Sequence, residues 1–227
     1  MRGLYAIVDV GTLRGRLVEP VAFAAAVLAV RPAALQLRAK ELPSRETLAM
    51  LRELAPMCHR AGVLLVANDR PDLAVMAGCD LVHVGQSDIP IDRARRLAPG
   101  LAVGVSTHDP EQLQAALEAR PVYVAYGPVF ETTTKKDPAP VVGVAGLRAA
   151  YARAAAARIP LVAIGGITRE RAAGLVGLAD AVAVVADLLP PPSPGRSVGD
   201  LLVEVTARAR AIHALFAPAA AAVGAAR

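Results

Sequence analysis

The chain has 227 residues, a net charge of +5, a pI near 9.7 and a hydrophobic fraction of 55%. That is long enough for one sizeable core and far too apolar for a disordered chain. With 3% aromatics, no tryptophan and arginines scattered among acids, it offers neither a stacking platform nor a basic stretch for nucleic acid. The same charge balance suits small anionic substrates.

Short β-type runs recur along the chain: Leu4–Val8, Ala34–Leu37, Val63–Val66, Leu81–Val84, Ala102–Val105, Val122–Ala125, Leu161–Ile164 and Ala181–Val185. They are nearly continuous apolar runs, as in strands covered on both faces. Helical stretches are predicted at Ser44–Arg60, Asp109–Glu118, Val144–Ala157, Arg169–Val176 and Val198–Phe216. Ser44 with Thr47 makes half a capping box at the first of these. Arg93, Arg95 and Arg96 read as one exposed helix face, and Pro190–Pro194 as a break before the last helix.

Eight strands alternating with helices predict an α/β fold, a single-domain (β/α)8 TIM barrel over residues 1–217, with a doubly wound sheet as the alternative. Residues 218–227 form an alanine-rich tail expected to fray. The N-terminal apolar run meets Asp9 at once, so no signal peptide is expected, and no apolar run is long enough to span a bilayer. Cys58 and Cys79 lack any partner motif and read as buried free thiols, so a cytoplasmic location is expected.

Polar residues gather just after the strands. Gln36, Arg38 and Lys40 alternate, so they are expected to point together into the barrel mouth. Asp69 and Asp88 end neighbouring strands, and hard carboxylate oxygens there suit Mg2+. His83 alone reads as a structural histidine. Gly165-Gly166 after the seventh strand lets backbone N–H groups approach a phosphate at a helix N-terminus. The segment from Gly127 to Asp137 places three threonines and two lysines in five consecutive residues, Thr132 to Lys136. Lysine is scarce elsewhere, since 22 of the 25 basic residues are arginine. A compact ammonium is not replaced by a guanidinium fork.

Two anion sites follow. One combines Gln36, Arg38, Lys40, Asn68, Ser106, Lys135 and the metal; the other combines Thr132, Thr134, Gly166 and the backbone after the eighth strand. Two anionic substrates over one barrel suggest a transferase. No Ser-His-Asp or cysteine nucleophile is evident, so metal and lysine would stabilise a leaving group.

The ordered motifs LYAIVD at 4–9, QLRAK at 36–40, ANDRPDLA at 67–74, HVGQSDIP at 83–90, GVSTH at 104–108, GPVFETTTKKD at 127–137, AIGGIT at 163–168 and AVAVVA at 181–186 resemble the thiamine-phosphate synthase family. The resemblance implies a barrel enzyme that joins hydroxymethylpyrimidine diphosphate to thiazole phosphate, releasing pyrophosphate by a dissociative route. It implies that Gln36, Arg38, Lys40, Asn68, Ser106 and Lys135 hold the diphosphate substrate, with Lys135 and Ser106 catalytic. It implies Mg2+ on Asp69 and Asp88, and thiazole phosphate among Thr132, Thr134, Gly166, Val185 and Ala186. The family usually has serine where Ala186 stands, and Asp187 beside it sets a carboxylate near the phosphate. Glu131 stands in place of a commoner proline. His108 and the FET-x-x-KK pattern also resemble the sister thiazole tautomerases, and a non-catalytic phosphate-binding paralogue is the third reading. The sequence leaves the oligomeric state and the role of Lys136 open.

Overall fold

The computed structural model describes residues 1–132, 134 and 139–216. Expectations for Lys135, Lys136 and the tail at 218–227 therefore lie outside the described residues. Eight parallel strands close into one barrel in chain order: β1 (Gly3–Asp9), β2 (Ala34–Arg38), β3 (Leu64–Asn68), β4 (Leu81–Val84), β5 (Ala102–Thr107), β6 (Tyr123–Tyr126), β7 (Leu161–Ile164) and β8 (Ala181–Val184). The seam is made by β1 and β8, registered from Gly3 with Ala181 to Ala6 with Val184. This is the (β/α)8 barrel expected from the sequence, not an open sheet.

The described helices are α1 (Val10–Arg14), α2 (Pro20–Leu28), α3 (Ser44–Ala61), α4 (Pro71–Ala77), α5 (Ile91–Leu97), α6 (Pro110–Glu118), α7 (Gly143–Ala156), α8 (Arg169–Ala172) and α9 (Val198–Phe216). The expected helix at 169–176 is a single α-turn followed by a 3-10 turn, Ala173–Leu175. Ser44 does not cap α3. Pro43 holds that position with no side-chain oxygen to offer, and Ser44 instead accepts a hydrogen bond from Arg70 at 2.8 Å. The other end of α3 stops at Gly62, whose φ of 69° is the left-handed turn that a Cβ disfavours. Cys58 is buried, but Cys79 is only half-buried. Burial comes first among the causes that push both thiols up to about 12, so neither ionises readily. No described helix is long and apolar enough to cross a membrane.

Two cores follow from strand alternation. Leu4, Ala6 and Val8, with Leu35, Leu37, Val82, Val84, Val103 and Val105, pack outward against the helices. Tyr5, Ile7, Ala34, Val66, Leu81, Tyr123, Ala125, Val162, Ala181 and Ala183 fill the barrel itself. Tyr123 is the largest fully buried side chain, and its ring needs Gly104 opposite: a Cβ there would stand 2.2 Å from the ring. The C-terminal helix closes the back, where His213 accepts the Leu4 N–H at 3.3 Å and Thr206 donates to the Ala26 carbonyl at 2.9 Å.

Gly104→Ala forces either the Tyr123 ring or β5 to move. It is expected to destabilise the protein by about 3 kcal/mol, the upper range for overpacking a filled core. Urea unfolding followed by circular dichroism checks this.

Candidate active site

The inward rows of β1 to β5 turn polar at their C-terminal ends, and the structure pairs these groups across strands. Asp9, 4% exposed, ends β1. One of its carboxylate oxygens accepts from the Thr12 N–H at 2.8 Å, capping α1, while the other binds the Arg38 guanidinium at the end of β2. A half-buried guanidinium is steadied by such a partner. Arg38 is thereby held in the wall of the mouth with further N–H donors to offer. Next to it, the Gln36 amide N–H donates to the Asn68 side-chain oxygen at 3.1 Å. That contact leaves the Asn68 NH2 group as a donor toward an anion.

Lys40 departs from the expected alternation. Strand β2 ends at Arg38, and Lys40 lies in the following turn, 3.1 Å from Asp69. It lines a pocket of about 220 Å3 with Thr47, Asn68 and Asp69. Asp69 has a left-handed φ of 62°, and its N–H donates to the His83 carbonyl at 2.8 Å. Asp88 closes its own turn by accepting the Gly85 N–H at 2.7 Å. Burial pushes the Asp69 carboxyl above the ordinary aspartate range. The adjacent Asp88 pushes it further, and Lys40 only partly opposes the two. Two carboxyl groups side by side with one ammonium are short of positive charge. A hard divalent cation such as Mg2+ fits that donor set, because it takes one or two carboxylates and completes its shell with phosphate oxygens and water. Among the described residues no group of three or more His, Cys, Asp or Glu assembles, so no closed all-protein metal cage is present there.

Ser106, on β5, is 6% exposed. His83 Nε2 lies 2.7 Å from its hydroxyl, and the Gln86 amide donates to its carbonyl at 2.6 Å. The other ring nitrogen of His83 meets the Tyr123 hydroxyl at 2.7 Å, which in turn meets that of Tyr5 at 2.9 Å. His108 contacts the Gly127 carbonyl through Nδ1 at 2.6 Å. A carbonyl only accepts, so His108 carries a proton on Nδ1.

The mouth itself opens into a cavity of about 900 Å3. Arg38, Ser106, His108, Glu131, Thr132, Thr134, Gly166, Val185, Ala186 and Asp187 all line it. The loop after β6 is strapped to β7 by two backbone hydrogen bonds, the Val129 N–H donating to the Ile164 carbonyl and the Phe130 N–H to the Gly165 carbonyl. Only glycine allows that approach. A Cβ on Gly166, whose φ is 62°, would stand 2.2 Å from the Glu131 carbonyl oxygen. Asp187 turns its carboxylate aside, accepting from both the backbone N–H and Nε of Arg169 at 3.0 Å, with Arg208 at 4.0 Å. The repulsion that the sequence suggests beside Ala186 is thus neutralised. The same contact takes up the first amide of α8, so that N–H is not offered to a phosphate.

All five residues expected around the smaller phosphate share the larger cavity, and Arg38 and Ser106 reach it too. Lys40, Asn68 and Asp69 instead line the smaller pocket. Sequence reasoning missed Asp9, Tyr5, Tyr123, Arg171 and Arg208. Asp9 carried a signal, an acid within an apolar strand. Arg171, which donates to the Gly166 carbonyl at 2.7 Å and lies 4.8 Å from the Phe130 ring centre, carried none.

A closed parallel barrel with paired polar side chains and phosphate-suited loops at one rim defines a barrel enzyme acting on small phosphorylated molecules. A family model described as thiamine monophosphate synthase matches residues 4–188. The thiamine-phosphate synthase of Koribacter versatilis is 46% identical over 193 residues, covering 83% of this chain and 90% of the relative. That of Chloroflexus aurantiacus is 38% identical over 213 residues, covering 93% of this chain and 91% of the relative. The solved thiamine phosphate pyrophosphorylase of Pyrococcus furiosus superposes with a TM-score of 0.78 at 28% identity, over 94% of each chain. The chain belongs to the thiamine monophosphate synthase family.

Because the folded state raises the Asp69 pKa, ionising this group weakens the fold as pH rises from the ordinary aspartate value through the raised one. Asn tolerates the left-handed backbone and carries no charge. In metal-free buffer at neutral pH, Asp69→Asn is therefore expected to unfold at the same or a higher temperature than the parent, while losing activity. A lower melting temperature would show that the carboxylate is already compensated.

Proposed function

We propose that this chain condenses 4-amino-2-methyl-5-hydroxymethylpyrimidine diphosphate with thiazole phosphate, giving thiamine phosphate and pyrophosphate. The observation that carries the reading is a rim that sets a carboxylate pair with Lys40 beside a cavity walled by Thr132, Thr134, Gly166 and Ala186. The family membership supports the same reaction.

In this reading Asp69 and Asp88 hold Mg2+, which screens the diphosphate and makes it a better leaving group. Lys40, Arg38, the Asn68 amide and Lys135 hold the diphosphate oxygens. The bond between the pyrimidine methylene carbon and the diphosphate oxygen breaks first, and its electron pair leaves with pyrophosphate. The thiazole nitrogen lone pair then forms the new C–N bond, and no proton transfer is required. The thiazole phosphate is anchored among Thr132, Thr134, Gly166, Val185 and Ala186, which sets the nitrogen against the carbon. Fixing both substrates is the main catalytic contribution, since the protein supplies no covalent nucleophile. Asp187 holds the loops after β7 and β8 together through Arg169 and Arg208.

The purified protein is mixed with both substrates and Mg2+, and any thiamine phosphate is oxidised to fluorescent thiochrome. Fluorescence that appears with Mg2+ and disappears with a chelator is expected; both substrates remaining intact would refute the reaction. In the same assay Asp187→Ala is expected to raise KM for thiazole phosphate about tenfold, as for a charge-assisted hydrogen bond lost, with a smaller change in kcat. An unchanged KM would remove Asp187 from the anchoring of that site.

A further inference from the structure

The interior of the barrel contains a hydrogen-bonded chain that the reaction above does not use. It runs from Tyr5 to Tyr123 to His83 to Ser106, with contacts of 2.9, 2.7 and 2.7 Å. Tyr5 and Tyr123 are 2% and 1% exposed. Burial pushes both phenols above their ordinary range, so each keeps its O–H. The chain has only two self-consistent directions if His83 is neutral. In one, Ser106 donates to His83 Nε2, Nδ1–H donates to Tyr123, and Tyr123 donates to Tyr5. The Tyr5 O–H then ends in a closed core with no acceptor, because Tyr123 is its sole hydrogen-bond partner among the described residues. In the other, Tyr5 donates to Tyr123, Tyr123 donates to Nδ1, and Nε2–H donates to Ser106. Both phenol hydrogens then have acceptors. The only donor left over is the Ser106 O–H, and Ser106 lines the larger cavity. Leaving a buried donor unmade is the costlier arrangement, so the second direction prevails. A doubly protonated His83 would also force Tyr123 to donate to Tyr5 and strand the same hydrogen.

We propose that Tyr123 is a positioning residue that holds the Nε2–H tautomer of His83 and thereby fixes Ser106 as a hydrogen-bond donor to an acceptor atom of the bound substrate. The partner of Ser106 is then a phosphate oxygen or a ring nitrogen lone pair, and not an amino group. The Gly104 gap that accommodates the Tyr123 ring is what allows this chain to exist. The role of the substrate rests on the synthase reading; the direction of the chain does not.

Long-range proton–nitrogen NMR of the 15N-labelled full chain reads the tautomer directly, without substrate. The four histidines are told apart by single His→Gln variants of His59, His108 and His213. A pyrrole-type Nε2 and a pyridine-type Nδ1 at His83 are expected. A pyrrole-type Nδ1, or two protonated nitrogens, would overturn the proposal whether or not the protein makes thiamine phosphate. If the synthase assay itself is positive, Tyr123→Phe is expected to lower kcat/KM roughly tenfold, the effect of one misdirected hydrogen bond. Tyr5→Phe, which leaves Tyr123 free to donate to Nδ1, is expected to change it less than about twofold. Equal effects of the two substitutions in folded protein would reduce the chain to packing and overturn its role. Should Tyr123→Phe fail to fold, the tautomer measurement on the parent protein decides alone.

Discussion

A closed parallel barrel brings the last inward residue of every strand to the same rim. Those residues cannot be shared out over a wide surface, and the ring beneath them is filled with Tyr5, Ile7, Val66, Leu81, Tyr123 and Val162. Any charge placed there must find a partner within the ring or keep a place for a ligand. Asp9 with Arg38, Gln36 with Asn68, and His83 with Ser106 are the pairs that satisfy this constraint internally. Asp69 with Asp88 is the pair that does not, because Lys40 supplies one positive charge against two carboxyl groups.

That imbalance divides the mouth. In the proposed reaction one side offers its charge to a cation and a diphosphate. On the other, anion recognition is given to threonines and backbone brought close by Gly165 and Gly166, whose positive φ values and tight contacts leave no room for side chains. Asp187 belongs to the second side, yet its charge is already answered by Arg169 and Arg208. In the proposed reaction the thiazole phosphate is met by threonines and backbone amides of the larger cavity, while Lys40, Arg38 and the carboxylate-held cation meet the diphosphate. Such a division suits a reaction in which one phosphate leaves and the other only anchors.

Much of this was legible in the sequence because parallel strands buried on both faces leave continuous apolar runs, and all eight appear within one or two residues of where they are found. The helices that escaped notice are short or unpatterned. Helix α2 is apolar throughout and α4 runs only seven residues, so neither periodicity nor length marks them, while α5 showed only as the arginine face at 93–96. Ser44 misled as a cap because Pro43 already fixes the entry into α3. At the site, residues next to glycine or in motifs were readable. Arg208 was not, since a helix far along the chain delivers it to the rim. The direction of the Tyr5–Tyr123–His83 chain was not either, because it depends on contacts between residues up to 118 positions apart. Alternation led to Gln36 and Arg38 correctly, and then failed at Lys40 because the strand had already ended.

The central claim is that the carboxylate pair and the glycine-walled cavity bind different partners at the same time. A crystal grown with Mn2+, pyrophosphate and thiazole phosphate, with data collected at the manganese edge, tests it most directly. The account requires an anomalous peak between the carboxylates of Asp69 and Asp88, pyrophosphate on the Lys40 side, and the thiazole phosphate group against Gly166 and Ala186. Manganese elsewhere, or thiazole phosphate away from Gly166 and Ala186, would contradict it.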